Sequence, residues 1–451
     1  MSPPRSAGQP GRRPRQPRVP EPRSRGVAGR RTSRPGPGGE RAAGAARLPA
    51  RSGPPAGLGP PASPAARFAT RGQPAALASI ERMLEAGAPQ VLLLIGPASI
   101  GKTTLALDLA AALLCAAGDD EARPCRACRA CRLVASGTHQ DLHRLAPEGA
   151  GRQVRIGDPS DPEPGTVRHL IRELARLPVE GRRRVAVIEG AHRMNEDAQN
   201  ALLKTLEEPP AGATLVLCAD EPERLLPTVR SRAATLRLGP LGIRAIEGLL
   251  GERGVDPPRA ARLARLAGGR PGLALAYAAA PQAVNAREEI SRTLLDLVAE
   301  SRSRRLVVGR ELLARAAELA GLRDDPGAAN TRASDTRASD APPAPVAHVD
   351  EEDEAGRPVR ASPAERRLAA GALIETWAAV ARDLAVVAAG GSSRAMNLAL
   401  VDDLEAAASR IPAGAVPAFL ARLARAAQLL EANANPELVV DVLVLAWPRA
   451  A

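Results

Sequence analysis

Lysine is almost missing from this 451-residue chain, where only Lys102 and Lys204 remain among 62 basic residues. A bias toward arginine and alanine is what GC-rich coding produces. A lysine that persists therefore marks a place where a compact point charge serves better than a planar fork. Long apolar runs are missing too. The longest near the end, "ELVVDVLVLAW", is short and carries Asp441, so no segment is expected to span a bilayer. The N-terminal stretch lacks the apolar core of a secretory signal, and its prolines argue against the amphipathic helix of a transit peptide. Cysteine is scarce: five in all, four of them between 115 and 131. That pattern speaks against a disulfide framework and for a metal held in a reducing compartment. Together these absences lead to an expected cytoplasmic protein with no membrane partner.

The net charge of +12 suggests a nucleic-acid partner until it is located. Residues 1–60 hold thirteen arginines against Glu21 and Glu40, so +11 of the charge lies there and the rest of the chain is close to neutral. The folded body therefore need not carry a strongly basic groove, and the basic tail reads as a solvated, disordered extension.

Four regions follow from composition and periodicity. Residues 1–66 form the Arg/Pro/Gly-rich disordered tail. Residues 67–240 alternate helical patterns with short apolar runs: "VLLLIG", "LHRLAP", "RVAVIE", "TLVLCA" and "ATLRLG". These suit buried strands of a parallel α/β sheet. Residues 241–282 are helical and break at Gly268–Gly269, which reads as a small helical lid. Residues 283–451 are an all-α domain, interrupted by a polar insert over 324–360 that contains "TRASDTRASD".

Two motifs carry chemistry. "GPASIGKT", Gly96–Thr103, fits G-x-x-x-x-G-K-[ST] between a strand and a helix. Its glycines, Gly96 and Gly101, let backbone N–H groups turn around phosphate oxygens. Lys102 reaches the outer phosphates, Thr103 can ligate magnesium, and Thr104 continues the helix N-terminus. Cys115, Cys125, Cys128 and Cys131 form C-x9-C-x2-C-x2-C, a spacing that suits structural tetrahedral zinc with no open position for catalysis.

The order of these features, followed by "NALLKTLEEPP" and "LLPTVRSR", resembles the bacterial clamp-loader ATPases of the AAA+ superfamily. The likeness runs well from Arg71 to Pro281 and more weakly through "NANPELVVDVLVLAWP". It implies an AAA+ P-loop domain with a zinc module, a helical lid, and a helical collar that joins a hetero-pentameric ring. Partners in such a ring would be gamma/tau-type and delta-type subunits, the sliding clamp, and primed DNA reached through the complex. ATP with Mg2+ sits between neighbours in these rings, so Ser231 and Arg232 match the motif that reaches into the next subunit. Ala233 replaces the cysteine that usually follows.

The strand "RVAVIE" ends with one acid where such ATPases keep two. Glu189 takes the first position and can help hold magnesium. Gly190 takes the water-activating position, and His192 the fourth. The polar sensing position after the next strand falls on Ala219, beside Asp220, and the phosphate-sensing arginine of the lid is replaced by Gly272. Loss of one positioned base costs on the order of 10²–10⁴ in rate. The expected chain is therefore a non-hydrolysing subunit that lends Arg232 to a neighbour. Two alternatives stay open: an active gamma/tau-type motor, disfavoured because no long domain follows the collar, and a zinc-bearing nucleic-acid-binding protein using its tail.

Overall fold

The computed structural model describes residues 67–118, 122–149, 152–180, 183–321, 362–412 and 414–450. The tail read over 1–66 and the insert read over 324–360 lie outside the described residues.

Five short strands form the sheet: β1 (Val91–Ile95), β2 (Leu142–Leu145), β3 (Arg184–Ile188), β4 (Ala213–Ala219) and β5 (Ala234–Arg237). All pair in parallel, in the order β2-β3-β4-β1-β5. Every residue of β1, β3 and β4 is buried, the outcome expected of unbroken apolar runs covered on both faces. Side chains alternate between two cores. Leu92, Leu94, Val185 and Val187 join α1 (Pro74–Glu85) and α2 (Lys102–Leu114), while Leu93, Ile95, Ala186 and Ile188 join α4 (Val167–Leu174) and α5 (Glu196–Glu207). The run "ATLRLG" departs from its reading as a buried strand. β5 is an edge strand with β1 as its ladder partner, and Ala234, Thr235 and Arg237 are exposed. Thr235 and Arg237 supply the polar side chains that such an edge tolerates.

Helix α2 is apolar nearly all round, and its buried Asp108 is a tether. That carboxylate accepts from the N–H of Ala69 (2.9 Å) and of Thr70 (2.8 Å), accepts from the Thr70 hydroxyl (2.6 Å), and pairs with Arg126 of the cysteine loop. A short α3 (Arg129–Ala135) follows the cysteines, and a single-turn α6 (Pro227–Arg230) leads into β5. Three helices, α7 (Ile243–Gly251), α8 (Pro257–Leu266) and α9 (Pro271–Ala279), share the α1–α2 core through Ile246, Leu263 and Tyr277.

The remaining helices are α10 (Pro281–Asp296), α11 (Arg302–Gly321), α12 (Pro363–Ala388), α13 (Val401–Ala408), α14 (Ala415–Glu431) and α15 (Pro436–Ala446). Ser362 caps α12 in a reciprocal pair with Glu365. Three of the chain's five aromatic residues meet in this core. Trp377, Phe419 and Trp447 stand with ring centroids 4.7–5.6 Å apart. Arg305 is fully buried without a carboxylate, and its guanidinium caps the end of α15 through the carbonyls of Val444, Trp447 and Pro448.

Both tryptophans lie in this helical core, so fluorescence-followed urea unfolding reads it selectively. Trp447→Ala removes two ring contacts and the indole bond to Leu294 O. The Trp377 signal of that variant is expected to show a loss of about 3–5 kcal/mol.

Candidate nucleotide site and four-cysteine centre

The parallel register brings the carboxyl ends of β1, β3 and β4 to one edge, and the phosphate loop leaves that edge from β1. The N–H of Gly96 donates to Ala219 O at 3.3 Å, which joins the loop to β4. Lys102 is buried, and its ammonium donates to Gly96 O (2.8 Å) and Pro97 O (2.6 Å). It also pairs with Asp220 Oδ1 at 2.7 Å. Ala219 is fully buried in β4, so the side chain that reaches the loop from this strand end is Asp220, one residue beyond the position read from the sequence.

Glu189 follows β3 directly. Its Oε1 accepts from Arg144 of β2 at two nitrogens, Nε at 3.0 Å and Nη2 at 2.6 Å, while Oε2 lies 3.4 Å from the Thr103 hydroxyl. Glu189 and Thr103 thus meet as two oxygen donors at the cleft, with an arginine fork already on the acid. Gly190 holds φ near 58°, and a Cβ there would stand 2.9 Å from Pro147 Cγ and 3.3 Å from Arg193 Cδ. The water-activating position is thus a left-handed glycine with its side-chain space filled.

His192 is buried, and its Nδ1 accepts from the N–H of Asp220 at 3.2 Å, which places the ring proton on Nε2. That Nε2 is buried without a hydrogen-bond partner, 4.0 Å from Asp220 Oδ2. Burial pushes the imidazole pKa down, against the pull of the Asp220 carboxylate. Gly272 of α9 donates its N–H to Ser99 O at 2.9 Å, and a Cβ would stand 3.0 Å from that oxygen. Helix α9 therefore rests on the phosphate loop by bare backbone, in a contact that any side chain at 272 would push apart. Arg270 turns away toward Glu375 of α12, 3.7 Å distant.

These groups line a cleft of about 750 Å³ that also includes Thr104 and Thr70. Its size suits a nucleotide, and the unspent His192 donor is a polar feature that such a ligand can satisfy. Ser231 and Arg232 do not line it. Arg232 lies on the surface just before β5, where it donates to Thr228 O at 2.9 Å and pairs with Glu207 of α5 at 2.6 Å. Ser231 Oγ donates to the same carbonyl at 3.1 Å.

The four cysteines converge. Their sulfurs all lie within 4.8 Å of one another, with Cys115 and Cys128 3.9 Å apart. Each N–H of Cys125, Cys128 and Cys131 points at the preceding cysteine's sulfur, at 3.4 Å. Burial raises the Cys128 thiol, yet the Cys131 and Ala116 backbone N–H groups bring it down to about 6. Burial pushes Cys115 and Cys131 up. Four sulfurs aimed at one centre, with N–H donors ready for thiolates, can hold a metal ion. Cys218 lies apart, buried in β4.

Sequence reading missed Arg144, because an arginine midway along a strand gives no sign that it will fork onto Glu189. The pair between Arg232 and Glu207 was equally illegible, because it depends on the turn after α6.

A phosphate loop between the first strand and helix of this parallel sheet defines a P-loop protein. Residues 72–242 match the family described as "DNA polymerase III, delta subunit". The chain is 42% identical to DNA polymerase III subunit delta' of Pseudomonas aeruginosa over 144 residues, 31% of this chain and 40% of that one. It is 34% identical to the delta' subunit of Bacillus subtilis over 171 residues, 38% of this chain and 48% of that one. Subunit tau of Salmonella typhimurium is 32% identical over 173 residues, 37% of this chain and 25% of tau. Residues 72–242 of this chain match that family's model, and the chain is similar to the delta' and tau subunits. It spans less than half the length of the curated relatives it matches. No helix among the described residues is long and apolar enough to cross a membrane.

Elemental analysis of the purified chain is expected to find about one metal ion per chain. Cys131→Ser, at a buried ligand, should lose that metal and lower the melting temperature, as should chelation of the wild type. Full occupancy in the variant would remove the four-sulfur assignment.

Proposed function

We propose that this chain is a delta-prime-like subunit of a bacterial DNA polymerase III clamp loader. It helps a ring of gamma/tau-type and delta-type subunits place the sliding clamp on primed DNA in the cytoplasm. Its own cleft holds ATP or a related nucleotide without turning it over, its four cysteines hold structural zinc, and Arg232 serves a neighbour's site. The observation that carries this reading is Gly190: the lytic water has no carboxylate, and Pro147 and Arg193 fill the space for one. The exposed position of Arg232, outside its own cleft, supports action in trans. When bound, a magnesium nucleotide would supply only charge to be held. Thr103 and Glu189 would face the metal, and the loop N–H groups the phosphates.

The likeness to tau keeps a motor reading in view, and two variants separate the readings. Alone, the chain is expected to show no turnover above background, unchanged by Lys102→Ala. Gly190→Glu should gain no turnover and lose about 1–2 kcal/mol, because its φ is left-handed. Loss of that background on Lys102→Ala would establish a motor instead.

In a ring assembled with gamma/tau-type subunits, Arg232→Ala should cut turnover at the recipient site by on the order of 10³. The total rate then falls by that site's share. An unchanged total would remove Arg232 from the chemistry.

A further inference from the structure

An ammonium has three protons, and the cleft assigns all three of those on Lys102. Two go to the loop's own carbonyls, Gly96 O and Pro97 O, and the third to Asp220 Oδ1 at 2.7 Å. Asp220 is the one acceptor of the three that comes from outside the loop, and the one that carries charge. Its backbone is fixed, because its N–H is bound to the buried His192 ring. The metal side of the cleft is occupied in the opposite sense, by the Arg144 fork on Glu189.

The inner part of the cradle is open. Among the described residues, the N–H groups of Lys102, Thr103 and Thr104 have no backbone acceptor, as expected for a helix's first turn. His192 Nε2, which lines the same cleft, is buried and unpartnered. Backbone N–H groups of a phosphate loop serve the inner phosphates, whereas the lysine and the metal serve the outer ones. This cleft keeps the first set of contacts available and has closed the second with its own side chains.

We propose that Asp220 sets the nucleotide preference of this cleft. Its carboxylate stands on Lys102 in the place of a terminal phosphate, so the site takes a nucleoside diphosphate and disfavours the triphosphate. A third phosphate would bring negative charge up to a lysine already neutralised, within reach of the carboxylate that neutralises it. Seating it requires Asp220 to swing away from a backbone that is pinned. The inference rests on the cleft being a nucleotide site and is independent of what Arg232 does.

The test is calorimetric titration of the full chain with ADP and with ATP, each with magnesium, for wild type and the near-isosteric Asp220→Asn. Wild type is expected to bind ADP more tightly. Asp220→Asn should tighten ATP by about tenfold or more and change ADP less, since the third phosphate brings the added charge closest to the carboxylate. A wild type that prefers ATP, or an ADP-to-ATP ratio unmoved by the substitution, overturns the proposal. Failure of both nucleotides to bind either protein overturns it together with the nucleotide reading, and leaves the Arg232→Ala result on a partner's rate standing by itself. Thermal unfolding checks that Asp220→Asn is folded. Should it not be, Asp220→Ser is read by the same ratio.

Discussion

The parallel register of β3, β4 and β1 is the constraint from which the site follows. Pairing Ile188 with Leu217 and Ile95 with Ala219 makes the three strands end at one edge. The residues that follow them, Glu189, Asp220 and the phosphate loop, then have to meet. Parallel strands need both faces covered, so helices pack on each side and exclude water from the strands beneath the cleft. In that setting Lys102 cannot stand as a bare charge: it takes two loop carbonyls and a carboxylate. Arg144, exposed on β2, forks onto the half-buried Glu189 beside it. The charges of the cleft are thus partly neutralised from within.

The second set of tethers attaches modules to this sheet. Asp108 on α2 gathers the backbone of Ala69 and Thr70 and the guanidinium of Arg126, so the chain entry and the cysteine loop share one buried anion. Gly272 fixes the lid to Ser99 by backbone alone, and Arg270 leads on from there to Glu375 in α12. The phosphate loop, the lid and the helical core are therefore in contact at one junction. Arg305 at the far end is satisfied by carbonyls alone, which draws the C-terminal helix onto α11.

Much of this was legible in the sequence because it depends on local pattern. Unbroken apolar runs between turn signals mark the central strands β1, β3 and β4, and the mixed runs of β2 and β5 fall at the two edges. The glycines and lysine of the phosphate loop carry their own mechanism, and two x2 spacings bring three sulfurs together, with Cys115 joining them from the end of α2. The absent second acid is also a sequence fact, since Gly190 has no side chain wherever it sits. The tertiary structure decided which charges neutralise one another. Arg144 reaches Glu189 because β2 lies beside β3, and Asp220 reaches Lys102 because β4 lies beside β1. It also decided that β5 is an exposed edge and that Pro147 fills the space beside Gly190. Such pairings join residues distant in the chain, and no local periodicity encodes them. They arise only when strand order and register bring opposite charges within reach of each other.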